Sequence, residues 1–352
     1  MRVLVVDDSP VACMLLCAIL ESAEAEVRVA ESGEQALTVL ESYTPDIVTM
    51  DVNMPGMDGY ATTARILQRH ALPVVVLTAT ANAADAAIRA LEAGALAVLQ
   101  KPAGPQAPDF DRHVDGLLRT LRVMSQVKVV RRSSFKTYRM PSTASKRLPP
   151  RSNDIPSIVG IAASAGGPAA LKILLQRLNP EQPWPIILVQ HISAGFIGSF
   201  RDWLERIAPI QVKIAKADQL LEKAVLYLAP DDRLLGVTAS GHVRLESCRP
   251  EQLICPSADH LFHSMAKELG QSTIGIQLSG MGRDGAAGLL NLKNHGALTL
   301  VQEPDDAVID SMPRTAIDMQ AACDVLPTEQ IADMLNTLAR QYLNTNRPEQ
   351  GR

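Results

Sequence analysis

Val159-Gly160-Ile161-Ala162-Ala163-Ser164-Ala165-Gly166-Gly167-Pro168 is the stretch from which the fold can be read. Residues 158–163 form an apolar run that reads as a buried strand, and 169–175 read as a helix with one apolar face. Gly166 and Gly167 permit a tight turn between them. Pro168 suits the first turn of a helix. Strand, glycine turn and helix together are the repeating unit of an α/β fold. Ser164 then stands at the carboxyl end of the strand, beside unbonded helix N–H groups, which is the general placement of a strand-to-helix nucleophile. The same turn serves equally to bind a phosphate or to close a loop. Ala162 stands where both G-x-S-x-G and G-x-G-x-x-G need glycine, which disfavours a dinucleotide site.

Working outward, the apolar run 186–190 ends at His191, on the same sheet edge as Ser164. The run 274–278 leads into Ser279-Gly280-Met281-Gly282-Arg283-Asp284-Gly285. Further strands are expected at 225–229 and 297–302, and helices at 195–204, 257–269 and 328–342. Residues 234–238 and 242–245 flank Ser240-Gly241 as a hairpin, so a parallel sheet is expected to become mixed where that hairpin joins. A serine hydroxyl attacks only when a base takes its proton; an imidazole does this, and a carboxylate fixes its tautomer. Ser164, His191 and Asp284 form such a set, with the 280–285 glycine-rich loop supplying backbone N–H groups for an oxyanion. Two plainer roles stay open: His191 as a surface histidine, and Asp284 as the cap of a helix at 285–292. Cys248, Cys255, His260 and His263 have the spacing C-x6-C-x4-H-x2-H, a poor zinc pattern, and read as ordinary helix-flanking residues.

The first third of the chain repeats the strand–helix alternation. Strands are expected at 3–6, 27–30, 46–51, 74–77 and 95–99, giving a parallel sheet covered on both faces. Asp7, Asp8, Asp51, Thr78 and Lys101 all fall at strand carboxyl ends, which in an open α/β sheet meet in one crevice. Three carboxylates repel one another and call for a cation, and such oxygen donors suit Mg²⁺. Asp51 is the expected phosphoryl acceptor, with Thr78 and Lys101 to hydrogen-bond and charge-balance the transferred group.

With 352 residues and 47% apolar content, the chain can bury two cores. A net charge of −4 argues against general nucleic-acid binding. Cysteines 13, 17, 248, 255 and 323 contain no C-x-x-C pair and read as free thiols of a reducing compartment. The first residues run directly into a strand rather than a leader, and no apolar span is long enough for a membrane helix, so a cytoplasmic location is expected. Residues 128–151 carry Lys128, Arg131, Arg132, Lys136, Arg139, Lys146, Arg147 and Arg151 with no acidic residue, and read as a flexible basic linker.

These motifs also resemble known families. Val-Val-Asp7-Asp8-Ser, Met-Asp51-Val-Asn-Met54-Pro55-Gly-Met57-Asp58-Gly59, Leu77-Thr78-Ala79 and Lys101-Pro102 make residues 1–122 similar to the receiver domain of bacterial response regulators. That resemblance implies a flavodoxin-like (βα)5 domain with strand order 2-1-3-4-5. It also implies Mg²⁺ on Asp7, Asp8 and Asp51, phosphorylation of Asp51 by a sensor histidine kinase, and a cis bond at Lys101-Pro102. Val98 stands where that family usually carries an aromatic switch residue.

Residues 157–343 resemble the catalytic domain of chemotaxis protein-glutamate methylesterases. The matching pieces are Gly160-Ile-Ala-Ala-Ser164-Ala-Gly166-Gly167, Val189-Gln190-His191, Leu228-Ala229-Pro230, Pro256-Ser257-Ala-Asp259, Leu278-Ser-Gly280-Met281-Gly282-Arg-Asp284-Gly285, Gln302-Glu303 and Ser311-Met312-Pro313-Arg314. By that resemblance Ser164 is the nucleophile, His191 its base and Asp284 the orienter, with Met281 and Ala165 at the oxyanion site. The fold implied is a doubly wound, mostly parallel α/β esterase domain. Domains are then expected at 1–122 and 154–345, joined by a linker at 123–153. The implied activity is phosphorylation-controlled hydrolysis of glutamate γ-methyl esters, and deamidation of glutamines, on the cytosolic part of methyl-accepting chemoreceptors. Until Asp51 is phosphorylated, the receiver domain would cover the esterase cleft. The esterase site requires no cofactor in this reading, and neither nucleic-acid binding nor a membrane span is expected. Ala165 replaces a usual threonine and Cys255 a usual arginine. A non-catalytic signalling adaptor and a DNA-binding regulator are the alternatives; the second half is too long and strand-rich for the latter.

Overall fold

The computed structural model describes residues 1–78, 83–127, 129, 157–192, 195–249 and 254–345. The chain divides into two compact units, Met1–Arg131 and Arg132–Arg352. Most of the basic segment 128–151, along with Ala79, lies outside the described residues.

The first unit runs β1 (Arg2–Val6), α1 (Pro10–Ser22), β2 (Glu26–Ala30), α2 (Gly33–Ser42), β3 (Ile47–Asp51), α3 (Gly59–His70), β4 (Val74–Thr78), α4 (Ala83–Glu92), β5 (Ala97–Gln100) and α5 (Phe110–Met124). Local chemistry explains the helix starts. The side chains of Ser9, Ser32 and Asp58 accept from Ala12 N, Gln35 N and Ala61 N, capping α1, α2 and α3. The strands pair in parallel in the order β2-β1-β3-β4-β5. All residues of β3 and β4 are buried, as expected for inner strands with helices on both faces. Val3, Val5, Leu16, Leu20, Val75, Leu117 and Leu121 pack between one sheet face and the helices α1 and α5. The Lys101-Pro102 bond is not cis; Cys255-Pro256 is the cis bond among the described residues.

The second unit runs β6 (Ile158–Ala163), α6 (Gly167–Arg177), β7 (Ile186–Gln190), α7 (Ile197–Ile207), β8 (Gln211–Ile214), β9 (Val225–Leu228), β10 (Arg233–Val237), β11 (Val243–Ser247), α8 (Ala258–Glu268), β12 (Thr273–Gln277), α9 (Ala286–Asn294), β13 (Leu298–Gln302), α10 (Ser311–Asp318), β14 (Asp324–Leu326) and α11 (Thr328–Thr345). Seven strands form one parallel sheet in the order β14-β13-β12-β6-β7-β9-β8. The expected mixed sheet is corrected here, because β10 and β11 pair antiparallel with each other and form a separate ribbon. Ser264 on α8 holds that ribbon against the helix, bonding Val237 N at 2.9 Å and Val237 O at 3.0 Å. β6 is the central strand and is wholly buried. The chain leaves it toward β7 on one side and later returns to β12 on the other. The carboxyl end of β6 is therefore a topological switch point, where open α/β sheets form their crevice.

Candidate functional site

In the first unit the strand ends gather the acidic residues. One oxygen from each of Asp7, Asp8 and Asp51 lies within 4.8 Å of the others. Asp7 and Asp51 are buried and Asp8 is exposed. Lys101 Nζ sits 2.7 Å from Asp7 Oδ2 and 2.8 Å from Asp51 Oδ1. Lys101 N also donates to Thr78 O at 3.0 Å, which ties together the two residues expected to contact a phosphoryl group. Burial pushes the Asp51 carboxyl up, and the Lys101 hydrogen bond only partly opposes this. For Lys101, burial acts downward, but the two carboxylates outweigh it and hold the ammonium above its usual range. Among the described residues, Lys101 Nζ is the one partner of the buried Asp7 Oδ2, so this carboxylate oxygen has unspent acceptor capacity. An all-carboxylate set with such an oxygen fits a hard divalent cation such as Mg²⁺.

In the second unit the three expected residues converge on the switch point. β6 and β7 pair so that Ala163 faces Gln190, and His191 N donates to Ala163 O at 3.0 Å. His191 and Ser164 thus leave adjacent strands at the same level. On the other side of β6, Ser164 N donates to Ser279 O at 3.0 Å, which places the 280–285 loop against the serine. Contact here is close: a Cβ on Gly280 would lie 2.8 Å from Ser164 Cβ and 2.0 Å from Met312 Sδ. Gly166, at φ 76°, makes the left-handed turn into α6.

His191 Nε2 meets Asp284 Oδ2 at 2.9 Å. Asp284 is 5% exposed. Its oxygens also accept from Ser257 Oγ at 2.9 Å, Ala258 N at 2.6 Å and Asp259 N at 3.1 Å. The last two are first-turn N–H groups of α8, which have no partner within their own helix. Burial alone would raise the Asp284 carboxyl, but the bonds from His191, Ala258 and Asp259 outweigh it and hold the group below its usual range. An ionised Asp284 makes Nε2 the donor, leaving Nδ1 as the basic ring nitrogen. The plainer role for Asp284 fails. α9 begins after Gly285 with no side-chain cap bond, so Asp284 serves the start of α8 instead.

Not every expected contact is formed. Among the described residues, Ser164 Oγ makes no hydrogen bond to His191. The backbone N–H groups of Ala165 and Met281 likewise donate to nothing among the described residues, so both are unspent. The thiol expectation is corrected: Cys248 and Cys255 form a disulfide, their Cα atoms 6.2 Å apart, whereas Cys13, Cys17 and Cys323 are free. That pairing also removes the zinc pattern; the acidic trio is the candidate metal cluster found among the described residues.

Three glutamines were given no role in the sequence reading, although Gln190 and Gln302 fall in quoted motifs. Gln190 Nε2 bonds Ser164 O at 2.8 Å and His191 O at 2.9 Å. Gln277 Nε2 bonds Asp284 O at 3.0 Å, and Gln302 Oε1 accepts from Ser279 N at 2.7 Å. Each closes an apolar strand at the site edge: Leu-Val-Gln190, Gly-Ile-Gln277, Leu-Val-Gln302. A buried amide recurring at that place was the available signal, because a buried polar side chain needs partners.

Comparison with known proteins bears on both units. A model of the response regulator receiver domain matches residues 3–107, and a model of the CheB methylesterase domain matches residues 159–335. The chain is 42% identical over 350 residues to a protein-glutamate methylesterase/protein-glutamine glutaminase from Hahella chejuensis, covering 97% of this chain and 99% of that one. A protein of the same description from Syntrophus aciditrophicus is 41% identical, with 96% and 98% covered. The crystal structure of the Thermotoga maritima CheB methylesterase catalytic domain superposes with a TM-score of 0.50 at 31% identity, covering 52% of this chain and 98% of that one. No helix among the described residues is long and apolar enough to cross a membrane. The matched domains, their order and the near-complete coverage place this chain in the CheB-type response-regulator methylesterase family.

Proposed function

We propose that this chain hydrolyses glutamate γ-methyl esters, and deamidates glutamines, on the cytosolic helices of methyl-accepting chemoreceptors, under control of Asp51 phosphorylation. The observation that carries the reading is the pairing of buried Asp284 with half-buried His191 at 2.9 Å, level with Ser164 on the next strand. The relatives' description as protein-glutamate methylesterases/protein-glutamine glutaminases supports the substrate class. Ser164 Oγ attacks the ester carbonyl as His191 Nδ1 takes its proton, and Asp284 holds the resulting imidazolium. The missing Ser164–His191 hydrogen bond is compatible with this role, since such bonds commonly tighten only with substrate bound. The developing oxyanion takes the N–H groups of Met281 and Ala165. His191 returns the proton to the departing methanol, or to ammonia from a glutamine. Water then attacks the acyl-enzyme with His191 again as base, releasing glutamate and regenerating Ser164.

In the receiver unit Asp51 accepts a phosphoryl group from a sensor histidine kinase. Asp7, Asp8 and Asp51 would hold Mg²⁺, which supplies charge neutralisation at the phosphoryl oxygens. Lys101 and Thr78 bind the same group and report it to the surrounding backbone. The functional limits are a receiver at 1–122, a linker at 123–153 and a catalytic domain at 154–345. The test is mass spectrometry of a methylated, glutamine-bearing receptor helix after incubation with enzyme. Wild type converts both side chains to glutamate and Ser164→Ala converts neither; conversion by both at equal rates overturns the reading.

A further inference from the structure

Ser257 is a buried serine that makes two hydrogen bonds with different purposes. Its Oγ accepts from His260 N at 3.3 Å, which makes it the N-cap of α8. It also donates to Asp284 Oδ1 at 2.9 Å. A hydroxyl has a single proton, and a helix cap does not use it. Here the proton is spent on the carboxylate that holds His191. The two following residues add Ala258 N to Oδ2 and Asp259 N to Oδ1, so one corner of the chain grips both oxygens of Asp284.

We propose that Ser257 is a positioning residue for the His191–Asp284 pair, fixing the carboxylate in the plane from which Oδ2 meets Nε2. The inference rests on the triad reading above. A cap alone would leave the catalytic pair indifferent to the hydroxyl. The ionisable groups bearing on Asp284 are His191 from the end of β7 and Asp259 from the first turn of α8. Asp259 is engaged elsewhere, accepting from Gly288 N at 2.6 Å. Without the Ser257 donor the Asp284 carboxylate, ionised as before, is less stabilised and attracts the imidazolium more strongly, which moves the acidic limb of the rate profile to higher pH.

Three variants separate positioning from capping. Ser257→Gly keeps an acceptable cap residue but loses the hydroxyl, Ser257→Thr keeps both, and Ser257→Ala loses both. Ester hydrolysis is followed against pH in the full chain, with thermal melting as the folding control. Ser257→Gly is expected to lower kcat roughly 10-fold with KM unchanged, the scale of one hydrogen bond to a charged group. The acidic limb of its profile moves to higher pH, and Ser257→Thr restores both. Wild-type kcat and an unmoved acidic limb in Ser257→Gly, alongside inactive His191→Gln and Asp284→Asn, reduce Ser257 to a helix cap and overturn the inference. Full activity in Asp284→Asn overturns the triad reading and this inference with it. If Ser257→Ala fails to fold, the comparison of Ser257→Gly with Ser257→Thr still decides.

Discussion

Replacing Asp284 with asparagine changes one oxygen for an amide nitrogen and removes one charge. Four donors converge on this 5% exposed carboxylate: His191 Nε2, Ser257 Oγ, Ala258 N and Asp259 N. An asparagine offers one acceptor oxygen and two N–H donors. If its nitrogen takes the Oδ2 place, it opposes Ala258 N and forces His191 to carry its proton on Nδ1, where it cannot receive one from Ser164. If the nitrogen takes the Oδ1 place, the tautomer survives, but Asp259 N–H is orphaned and the imidazolium has no counter-charge. Either orientation leaves a buried backbone donor unmet, at a cost of about 1–3 kcal/mol. In a unit of this size each kcal/mol lowers Tm by about 2–4 °C. The catalytic loss is larger, on the order of 10³–10⁴ in kcat, because base and orienter act as one device. Methanol release from methylated receptor under single-turnover conditions measures the catalytic loss, and thermal melting followed by circular dichroism the loss of stability. A folded Asp284→Asn protein within 10-fold of wild-type kcat would refute the reasoning.

Other perturbations test separate parts of the account. Gly280→Ala drives a Cβ into Ser164 Cβ and Met312 Sδ, so the serine must shift; a displacement of that kind lowers kcat about 100-fold, readable in the same methanol assay. Lys101→Ala leaves the buried Asp7 and Asp51 without their cation. With Lys101 one-fifth exposed, solvent screening brings the expected destabilisation to about 2–3 kcal/mol. Added Mg²⁺ raises the Tm of this variant more than that of wild type, and an equal response in both counts against the acidic trio as the metal site. In acid, the depressed carboxyl of Asp284 gives stability that is present above its ordinary value of 3.8 and lost as pH falls through its lower folded value. Burial raises Asp259 instead, so its contribution grows as pH falls. Melting temperatures from neutral to acid pH should therefore fall less steeply in Asp284→Asn and more steeply in Asp259→Asn than in wild type.

Much of the site was legible because parallel strands end in one crevice. Apolar runs ending in Asp7, Asp51, Thr78, Ser164 and His191 placed those residues without any knowledge of packing. What escaped depends on distant partners or weak patterns. β8 and β14 are short edge strands whose residues, Val212 apart, are exposed or half-buried, so neither shows a continuous apolar run. α10 is only eight residues long, with Pro313 in its first turn, and so offers too short a pattern to be expected as a helix. The Cys248–Cys255 bridge spans six residues and fits no short spacing rule. Asp284 was open to reading as the cap of the helix that follows it. Its partners lie 25–27 residues earlier, and only the tertiary fold brings the start of α8 to it.

The most direct measurement is methanol release from methylated chemoreceptor by the full chain, with Mg²⁺, before and after Asp51 is phosphorylated with a small-molecule phosphodonor. The account predicts that phosphorylation accelerates release, that Asp51→Ala abolishes the acceleration but retains the basal rate, and that Ser164→Ala releases nothing in either state. Equal release by Ser164→Ala and wild type would contradict it.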